Sequence, residues 1–311
     1  DEIFANFLVL SENRKKIKKR KRNKSFTSSI SNALLKNFSF KLTKSQNKVL
    51  EEINKDLKSN TRMFRIIQGD VGSGKTIVSL LAVANVIESN YQGALMAPTE
   101  ILAQQHFELS KKIFANTKVR IGILTGKTEI KKRKRIIDDL KNGNLDIIIG
   151  THSLFQKKVD FKNLGLVIID EQHKFGVKQR SELAKKGGEN CDVLLMSATP
   201  IPRTMIMTVF GDMDVTVIKQ KPKNRKPVKT YSKVDTKLNE IIDFTKNQIK
   251  KGNQIFWVCP LIEESKKVDH QSAVQRYKSL QKIFKDRAGL LHGSLDKADK
   301  DEILNKFLNK E

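Results

Sequence analysis

The stretch that most constrains this chain is residues 69–76, which read Gly69-Asp70-Val71-Gly72-Ser73-Gly74-Lys75-Thr76. It fits the phosphate-binding loop pattern G-x-x-x-x-G-K-[ST]. Residues 63–67 before it are apolar enough for a buried strand, and residues 77–87 after it carry apolar side chains at helical spacing. The order strand, glycine loop, helix directs backbone N–H groups and the positive end of a helix dipole at a phosphate. We therefore expect a nucleoside triphosphate, with Lys75 on the β- and γ-phosphates and the Thr76 hydroxyl on Mg²⁺.

Apolar strand candidates alternate with helical stretches from Met63 to Ile218. The predicted strands are residues 64–67, 93–97, 119–124, 145–149, 166–169 and 192–196. Such a series predicts an α/β fold, with a parallel sheet covered by helices on both faces. Ligands of these sheets bind at the carboxyl ends of the strands, so functional residues are expected there.

Two acids, Asp170 and Glu171, directly follow the apolar run 166–169. Asp170 can hold Mg²⁺ through its waters, and Glu171 can orient and polarise the attacking water. A polar turn is the simple alternative for such a pair. Its position downstream of a phosphate loop in an alternating fold favours the catalytic interpretation. Lys75, Asp170 and Glu171 are therefore the candidate catalytic residues.

Small polar residues follow three further predicted strands. Hydroxyl, amide and backbone N–H donors at such loops suit contacts to the phosphates of a nucleic acid. The candidates for such contacts are Thr99, Gln104 and Gln105 after one strand, and Thr151 and His152 after another. The hydroxyls of Ser197 and Thr199 after a third strand can instead bond to the turn at 170–173 and sense whether a γ-phosphate is present. Each is weak by itself, and an ordinary proline turn is an alternative for residues 197–202.

The chain of 311 residues carries a formal net charge of +26. That excess indicates a polyanionic partner, nucleic acid before membrane. Lysine and asparagine are abundant along the whole chain, however, so part of the excess reflects composition and not a binding surface. The densest basic run, residues 14–24, allows two interpretations: a solvated segment that repels itself, or a contact to phosphates that is independent of sequence.

Cys191 and Cys259 lie in separate apolar surroundings without a metal ligand nearby, so we interpret both as reduced core residues. The longest apolar run, residues 77–87, is too short to span a bilayer, and no secretory signal is visible. These features predict a cytoplasmic protein.

Composition and patterning predict four parts along the chain. They are a basic helical tail at 1–30 that ends in a linker at 25–32, a nucleotide-binding domain at 31–220, an interdomain linker at 221–230, and a second domain at 231–311. The second domain is expected to contain a helix at 235–250, a strand at 254–258, a helix at about 270–285, a strand at 288–291 and a helix at 297–310. Two parallel-type strands make a very small sheet, and the chain starts without a methionine and stops within a helical pattern. We therefore expect this second domain to be incomplete.

Taken together, five segments resemble superfamily 2 DNA helicases and translocases, most closely the RecG-type branched-DNA helicases. The segments are GDVGSGKT, APTEILAQQH, GTHSLFQ, VIIDEQHKFGV and SATPIPRT, and the resemblance extends from about residue 26 to residue 311. The Mfd-type transcription-repair coupling translocases are close relatives. Gln172 and the segment 256–265 favour the RecG type, because Mfd-type proteins usually have a second glutamate where Gln172 stands.

The resemblance implies a RecA-like P-loop NTPase domain followed by a second RecA-like domain, with ATP and Mg²⁺ as cofactors. Phe40 and Gln46 are similar to the family's adenine-recognising motif. His173 would couple the hydrolysis site to the DNA side, and Ser197, Thr199 and Arg203 match the family's coupling motif. One departure is Ser294, which stands where the family usually has a DNA-contacting arginine.

The implied function is that of an ATP-dependent DNA helicase which remodels replication forks and recombination junctions in DNA repair and recombination. The bacterial cytoplasm, in association with the nucleoid, would be its location. In this family the arginine fingers come from later segments than those present here, so we expect this chain to bind ATP–Mg²⁺, hydrolyse it slowly and not unwind DNA. The alternatives are an Mfd-like translocase and a non-catalytic, basic nucleic-acid-binding module with a degenerate nucleotide site.

Overall fold

The computed structural model describes residues 20–38, 40–171, 186–199, 213–220, 228–260 and 272–310. The chain divides into two compact units, Asp1–Lys226 and Pro227–Glu311. This boundary falls within the expected linker at 221–230, of which residues 221–227 lie outside the described ranges. Among the described residues, the structure contains no helix long and apolar enough to cross a membrane.

The first unit alternates helices and strands as the sequence predicts. Its described helices are α1 (Ser29–Asn37), α2 (Lys44–Lys58), α3 (Lys75–Glu88), α4 (Glu100–Phe114) and α5 (Ile130–Asn142). Its described strands are β1 (Phe64–Gln68), β2 (Gln92–Met96), β3 (Ile121–Leu124), β4 (Ile147–Gly150), β5 (Leu164–Ile169), β6 (Asp192–Ser197) and β7 (Asp214–Val217).

These strands form one sheet in the order β3-β4-β2-β5-β6-β1-β7, and every pairing is parallel. The predicted α/β fold is confirmed, and all six predicted strands are present. The edge strand β7 was not among them, because its four residues contain no continuous apolar run. Among the described strands it pairs only with β1. Parallel pairing brings the carboxyl ends of all seven strands to one edge of the sheet.

Successive residues of the central strands face opposite sides of the sheet. Ile67 packs into a core cluster with the buried side chains of α2 and α3, whereas Ile66 packs into a second cluster with those of α5. Both faces are therefore covered, which is why the central strands read as continuous apolar runs. The helix α3 is buried over most of its length and fixes the position of the glycine loop that precedes it.

The chain before α1 does not behave as the sequence predicts. Lys21 and Lys24 are buried, and their Nζ atoms lie 2.7 Å and 2.6 Å from Asp192 Oδ2 at the start of β6. The expected linker at 25–32 is wrong in its second half, because α1 begins at Ser29. Lys21 and Lys24 are therefore neither solvated nor available to bind phosphates, because both ammonium groups form ion pairs with the buried carboxylate of Asp192. Residues 1–19 lie outside the described ranges.

The second unit contains three described helices: α6 (Leu238–Lys250), α7 (Ala273–Phe284) and α8 (Lys297–Asn309). They match the predicted helices, but the predicted strands at 254–258 and 288–291 are wrong, because neither segment forms a β-strand. In both segments half-buried and exposed residues alternate, and the Phe256 ring packs 4.6 Å from that of Phe307 on α8. An alternating apolar segment becomes a strand only where a neighbouring strand supplies ladder hydrogen bonds.

Candidate nucleotide-binding site

The glycine loop lies between the end of β1 and the start of α3. Gly72 and Gly74 have positive φ angles of 74° and 92°, which favour glycine. At Gly74 there is also no room for a side chain, since a Cβ there would lie 2.2 Å from Gln46 Nε2. Two of the predicted glycines are thus required by backbone geometry, and Gly74 sits at the N-terminus of α3, where the helix dipole favours an anion.

Lys75 is buried under the loop that precedes it. Its Nζ donates hydrogen bonds to the carbonyl oxygens of Gly69, at 2.5 Å, and Asp70, at 3.1 Å. Burial lowers the pKa of Lys75, while the carboxylates of Glu171 and Asp170 act in the opposite direction. The charge of the lysine therefore interacts with those of both predicted catalytic acids.

Ser73 is an unsatisfied polar residue inside the loop. It is buried, and its Oγ has no hydrogen-bond partner in the part of the chain that the structure describes. A buried hydroxyl without a partner is costly in a finished core and is common where a ligand completes the bonding. Together with the Lys75 ammonium and two nearby carboxylates, it gives a donor and acceptor set that fits a nucleotide phosphate and Mg²⁺.

Gln46 holds the glycine loop from behind. It is buried, its Nε2 donates to Ser73 O at 2.8 Å, and its Oε1 accepts from Thr43 N at 2.8 Å. The Thr43 side chain accepts from Gln46 N in return, which completes a capping box at the start of α2. Phe40 is half exposed, and its ring is stacked on that of Phe38 at 5.0 Å. Adenine recognition by Phe40 and Gln46 stays a prediction.

Asp170 and Glu171 follow β5 at the same edge of the sheet. Asp170 N donates to Met96 O at 2.8 Å, which fastens the acid to the end of β2. Its Oδ1 accepts from Glu171 N at 3.0 Å. Glu171 has φ of 47°, in the left-handed region that a non-glycine residue seldom occupies. Such conformations concentrate at functional sites, where the surrounding structure holds them in place.

One residue at this site was not singled out from the sequence. His106 on α4 places its Nε2 2.8 Å from Asp170 Oδ2, and both residues are buried. The available signal was its spacing, because His106 falls on the buried face of α4 together with Ala103, Ser110 and Phe114. A histidine on such a face is most simply a core residue, and only the fold brings it to the acid.

The end of β6 lies between the glycine loop and the acids. Ser197 O accepts a hydrogen bond from Gly69 N at 3.3 Å, and Ser197 Oγ contacts Thr199 Oγ1 at 3.0 Å. A cavity of about 240 Å³ opens beside them, lined in part by Ser73, Ala198 and Lys219. The two hydroxyls are thus brought to the nucleotide site, where their coupling role stays a prediction.

The predicted nucleic-acid contacts lie at the ends of β2 and β4, on the other side of β5. Thr99 is exposed and caps α4 by accepting from Leu102 N at 3.3 Å, and Gln105 and His152 are also exposed. Thr151 is instead buried, with its Oγ1 3.4 Å from Ser153 Oγ. A direct phosphate contact from the Thr151 side chain does not fit this arrangement. Gln172, His173 and Arg203 lie outside the described residues.

Comparison with known families places these features in context. A model of the family described as DEAD/DEAH box helicase matches residues 43–208, which include the capping threonine, the glycine loop, both acids and the strand ends described above. The chain belongs to the DEAD/DEAH box helicase family. Helicases of this kind use ATP, in agreement with the nucleotide predicted from Lys75 and its loop.

Curated relatives and a solved structure confirm the resemblance to the RecG type. The ATP-dependent DNA helicase RecG of Bacillus subtilis is 47% identical over 275 residues, and that of Thermotoga maritima is 43% identical over 310 residues. These matches cover 88% and 99% of this chain but 40% of each relative. A solved structure of RecG bound to a three-way DNA junction has a TM-score of 0.80 and 37% identity, and it covers 99% of this chain and 40% of that one.

A more distant solved structure supports the fold alone. Mss116p bound to ssRNA and AMP-PNP has a TM-score of 0.64 at 17% identity, over 90% of this chain and 61% of that one. The predicted RecA-like fold is therefore confirmed in the seven-stranded parallel sheet of the first unit.

Proposed function

We propose that this chain is the ATP-binding motor part of a RecG-type DNA helicase, which remodels branched DNA by coupling ATP hydrolysis to movement on duplex DNA. The observation that carries the proposal is the buried Lys75, which donates to Gly69 O and Asp70 O under a glycine loop, at the edge of the sheet where two acids follow β5. The chain spans about 40% of the length of its curated relatives, so the activity of a whole protein is part of the proposal.

The residues of the site have distinct roles in this proposal. Lys75 and the N–H groups of the glycine loop neutralise and orient the phosphates, while Thr76 and Asp170 hold Mg²⁺. Bound Mg²⁺ would stabilise the charge that develops on the phosphate oxygens. Glu171 orients and polarises the attacking water. Ser73 Oγ, which is buried and has no partner among the described residues, supplies a further donor within the loop.

The groups proposed to contact DNA lie at the same edge of the sheet. Strand β5 carries the acids, and its neighbour β2 leads into Thr99 and α4, whose exposed residues include Gln105. Contacts from these groups to phosphates carry no sequence information, which suits an enzyme that acts on DNA of any sequence. The net charge of +26 supports a polyanionic partner. Branched DNA is the preferred substrate in the proposal, because the similar solved structure is of RecG bound to a three-way DNA junction.

We place the nucleotide-binding domain at 31–220, the linker at 221–230 and part of a second motor domain at 231–311, with a location in the bacterial cytoplasm. His173 and Arg203 would couple the two activities. An Mfd-like translocase is less well supported, because both curated relatives described above are RecG helicases.

The proposal is tested by ATP hydrolysis with and without a three-way DNA junction. The chain is compared with a chimera in which the corresponding C-terminal remainder of Bacillus subtilis RecG follows residue 311, and each form is also made with Lys75→Ala. We expect the junction to stimulate hydrolysis in the chimera, and Lys75→Ala to abolish it. A folded chimera that binds the junction without hydrolysing ATP would instead favour the non-catalytic nucleic-acid-binding module.

A further inference from the structure

The buried contact between His106 and Asp170 joins a helix of the nucleic-acid side to the candidate metal ligand. The ring Nε2 and the carboxylate Oδ2 lie 2.8 Å apart, and the side chains are only 10% and 12% exposed. Because an ionised carboxylate can only accept hydrogen bonds, the ring nitrogen is the donor. The contact is therefore a directed, largely desolvated hydrogen bond.

The carboxylate of Asp170 is held at both oxygens. Oδ1 accepts from the backbone N–H of Glu171, and Oδ2 faces His106. The backbone of Asp170 is also fixed, since its N–H donates to Met96 O at the end of β2. Rotation of the carboxylate would break at least one of these bonds in a site that excludes most water. The orientation of the acid is thus set by its protein neighbours alone.

The helix that carries His106 is itself firmly placed. It is capped by Thr99 directly after β2, and its buried face includes Ala103 and Phe114. Met96 at the end of β2 binds the backbone of Asp170, and α4 binds its side chain. A ligand at Thr99 or Gln105 that displaced β2 and α4 would therefore also move Asp170, through its backbone bond to Met96 and its side-chain bond to His106.

We infer that His106 is a positioning residue, which holds the Asp170 carboxylate in the orientation needed for Mg²⁺ and connects it to the exposed start of α4. This inference rests on the proposed function, because it takes Asp170 as a metal ligand. Any buried imidazole needs a hydrogen-bond partner, so the effect of the contact on Mg²⁺ binding is what distinguishes positioning from core packing. Outer-shell partners of metal-binding groups tune metal affinity without touching the metal.

The direct test is the Mg²⁺ concentration needed for half-maximal binding of a fluorescent ATP analogue. His106→Leu removes the donor and keeps an apolar side chain, whereas His106→Gln can return an N–H near the same place. Lys112→Ala changes an exposed residue of the same helix and is the matched control. We expect His106→Leu to raise the required Mg²⁺ concentration about tenfold, with His106→Gln and Lys112→Ala close to wild type.

Two results would overturn the inference. One is an unchanged Mg²⁺ requirement in a folded His106→Leu variant. The other is an equal loss in His106→Gln and His106→Leu, which would indicate packing and not a hydrogen bond. A further test of the coupling is the Asp170→Asn background, in which His106→Leu should have a much smaller additional effect.

A second measurement separates this inference from the proposed function. In protein labelled with ¹⁵N-histidine, the Nε2–H of His106 should give a protected proton resonance that Asp170→Ala removes, without any nucleotide present. Absence of that resonance overturns the inference even if ATP and Mg²⁺ bind normally. Failure of the wild-type chain to bind the nucleotide, with the resonance present, overturns the proposed function and with it the metal-positioning role.

Discussion

At the scale of single residues, hydrogen bonds among the protein's own groups fix the geometry of the candidate site. Gln46 shows this most clearly, because one amide caps α2 through Thr43 and supports the glycine loop through Ser73 O. The same amide lies where a side chain on Gly74 would have to go. The position of the loop therefore depends on a residue far from it in sequence.

This double role predicts different consequences for Thr43→Ala and Gln46→Ala. Both changes remove a capping interaction of α2, which costs about 1 kcal/mol of stability. Only Gln46→Ala also removes the support of Ser73 O, so it should additionally weaken binding of a fluorescent ATP analogue. Urea denaturation measures the first effect and a binding titration the second. Equal nucleotide affinity in two folded variants would contradict a loop-supporting role for Gln46.

At the scale of elements, the segment before α1 is attached to the sheet by a buried charge cluster. Lys21 and Lys24 both reach Asp192, whose Oδ1 also accepts from the backbone of Met63 at 2.7 Å. Burial lowers the pKa of Lys21, and the charge of Asp192 opposes that shift. The cluster joins the chain before α1 to β6 and to the residue before β1, at the edge opposite the candidate nucleotide site.

Removal of Asp192 should therefore be far more damaging than removal of an exposed acid. Asp192→Ala leaves two buried ammonium groups without their carboxylate, and the expected cost is roughly 3–5 kcal/mol. The control is Glu108→Ala, which removes a half-exposed carboxylate that pairs with Lys111 at 3.8 Å and should cost about 1 kcal/mol or less. Equal free energies of unfolding for the two variants would show that the buried cluster adds no stability.

The elements also show where sequence reasoning succeeds and where it cannot. The strand, loop and helix around Lys75, and the acids after β5, were predictable because each lies within one short segment of strong local pattern. The contacts of Lys21, Lys24 and His106 were not, since they join residues remote in sequence and depend on strand order. The segments 254–258 and 288–291 have a strand-like pattern but do not form strands, because a strand also needs a neighbouring strand with which to pair.

At the scale of the whole molecule, the order of strands divides one edge of the sheet into two regions. The glycine loop follows β1 and the acids follow β5, with β6 between them, while Thr99 and His152 follow β2 and β4. The nucleotide site and the predicted nucleic-acid contacts are thus neighbours on a single rigid sheet. Asp170 lies where the two regions meet, because it contacts both β2 and α4.

The two units each contain one cysteine, and these should differ in reactivity. Cys191 is buried in the first unit, and burial raises the pKa of its thiol from 9.0 to about 12, whereas Cys259 in the second unit is only partly buried. At pH 9 the folded protein should therefore alkylate at Cys259 first, with Cys191 protected until the first unit unfolds. The unfolded chain loses the Cys191 proton near pH 9, whereas the folded protein keeps it up to a pKa of about 12. The free energy of unfolding should therefore fall as the pH rises from 9 toward about 12.

Peptide mapping after brief treatment with iodoacetamide measures both sites. The pH dependence of stability is measured separately by urea denaturation. Between pH 9 and about 12, the free energy of unfolding of Cys191→Ala should fall less steeply than that of the wild type. Equal labelling of the two cysteines in the folded protein would contradict the buried position of Cys191.

The central claim is that the carboxyl edge of this sheet binds ATP with Mg²⁺ through Lys75. The most direct measurement is a binding titration of a fluorescent ATP analogue, with and without Mg²⁺, for the wild type, Lys75→Ala and the exposed-site control Lys111→Ala. We predict Mg²⁺-dependent binding that Lys75→Ala weakens by about tenfold or more, with Lys111→Ala unchanged. Equal affinity of the folded wild type and Lys75→Ala for the nucleotide would contradict the claim.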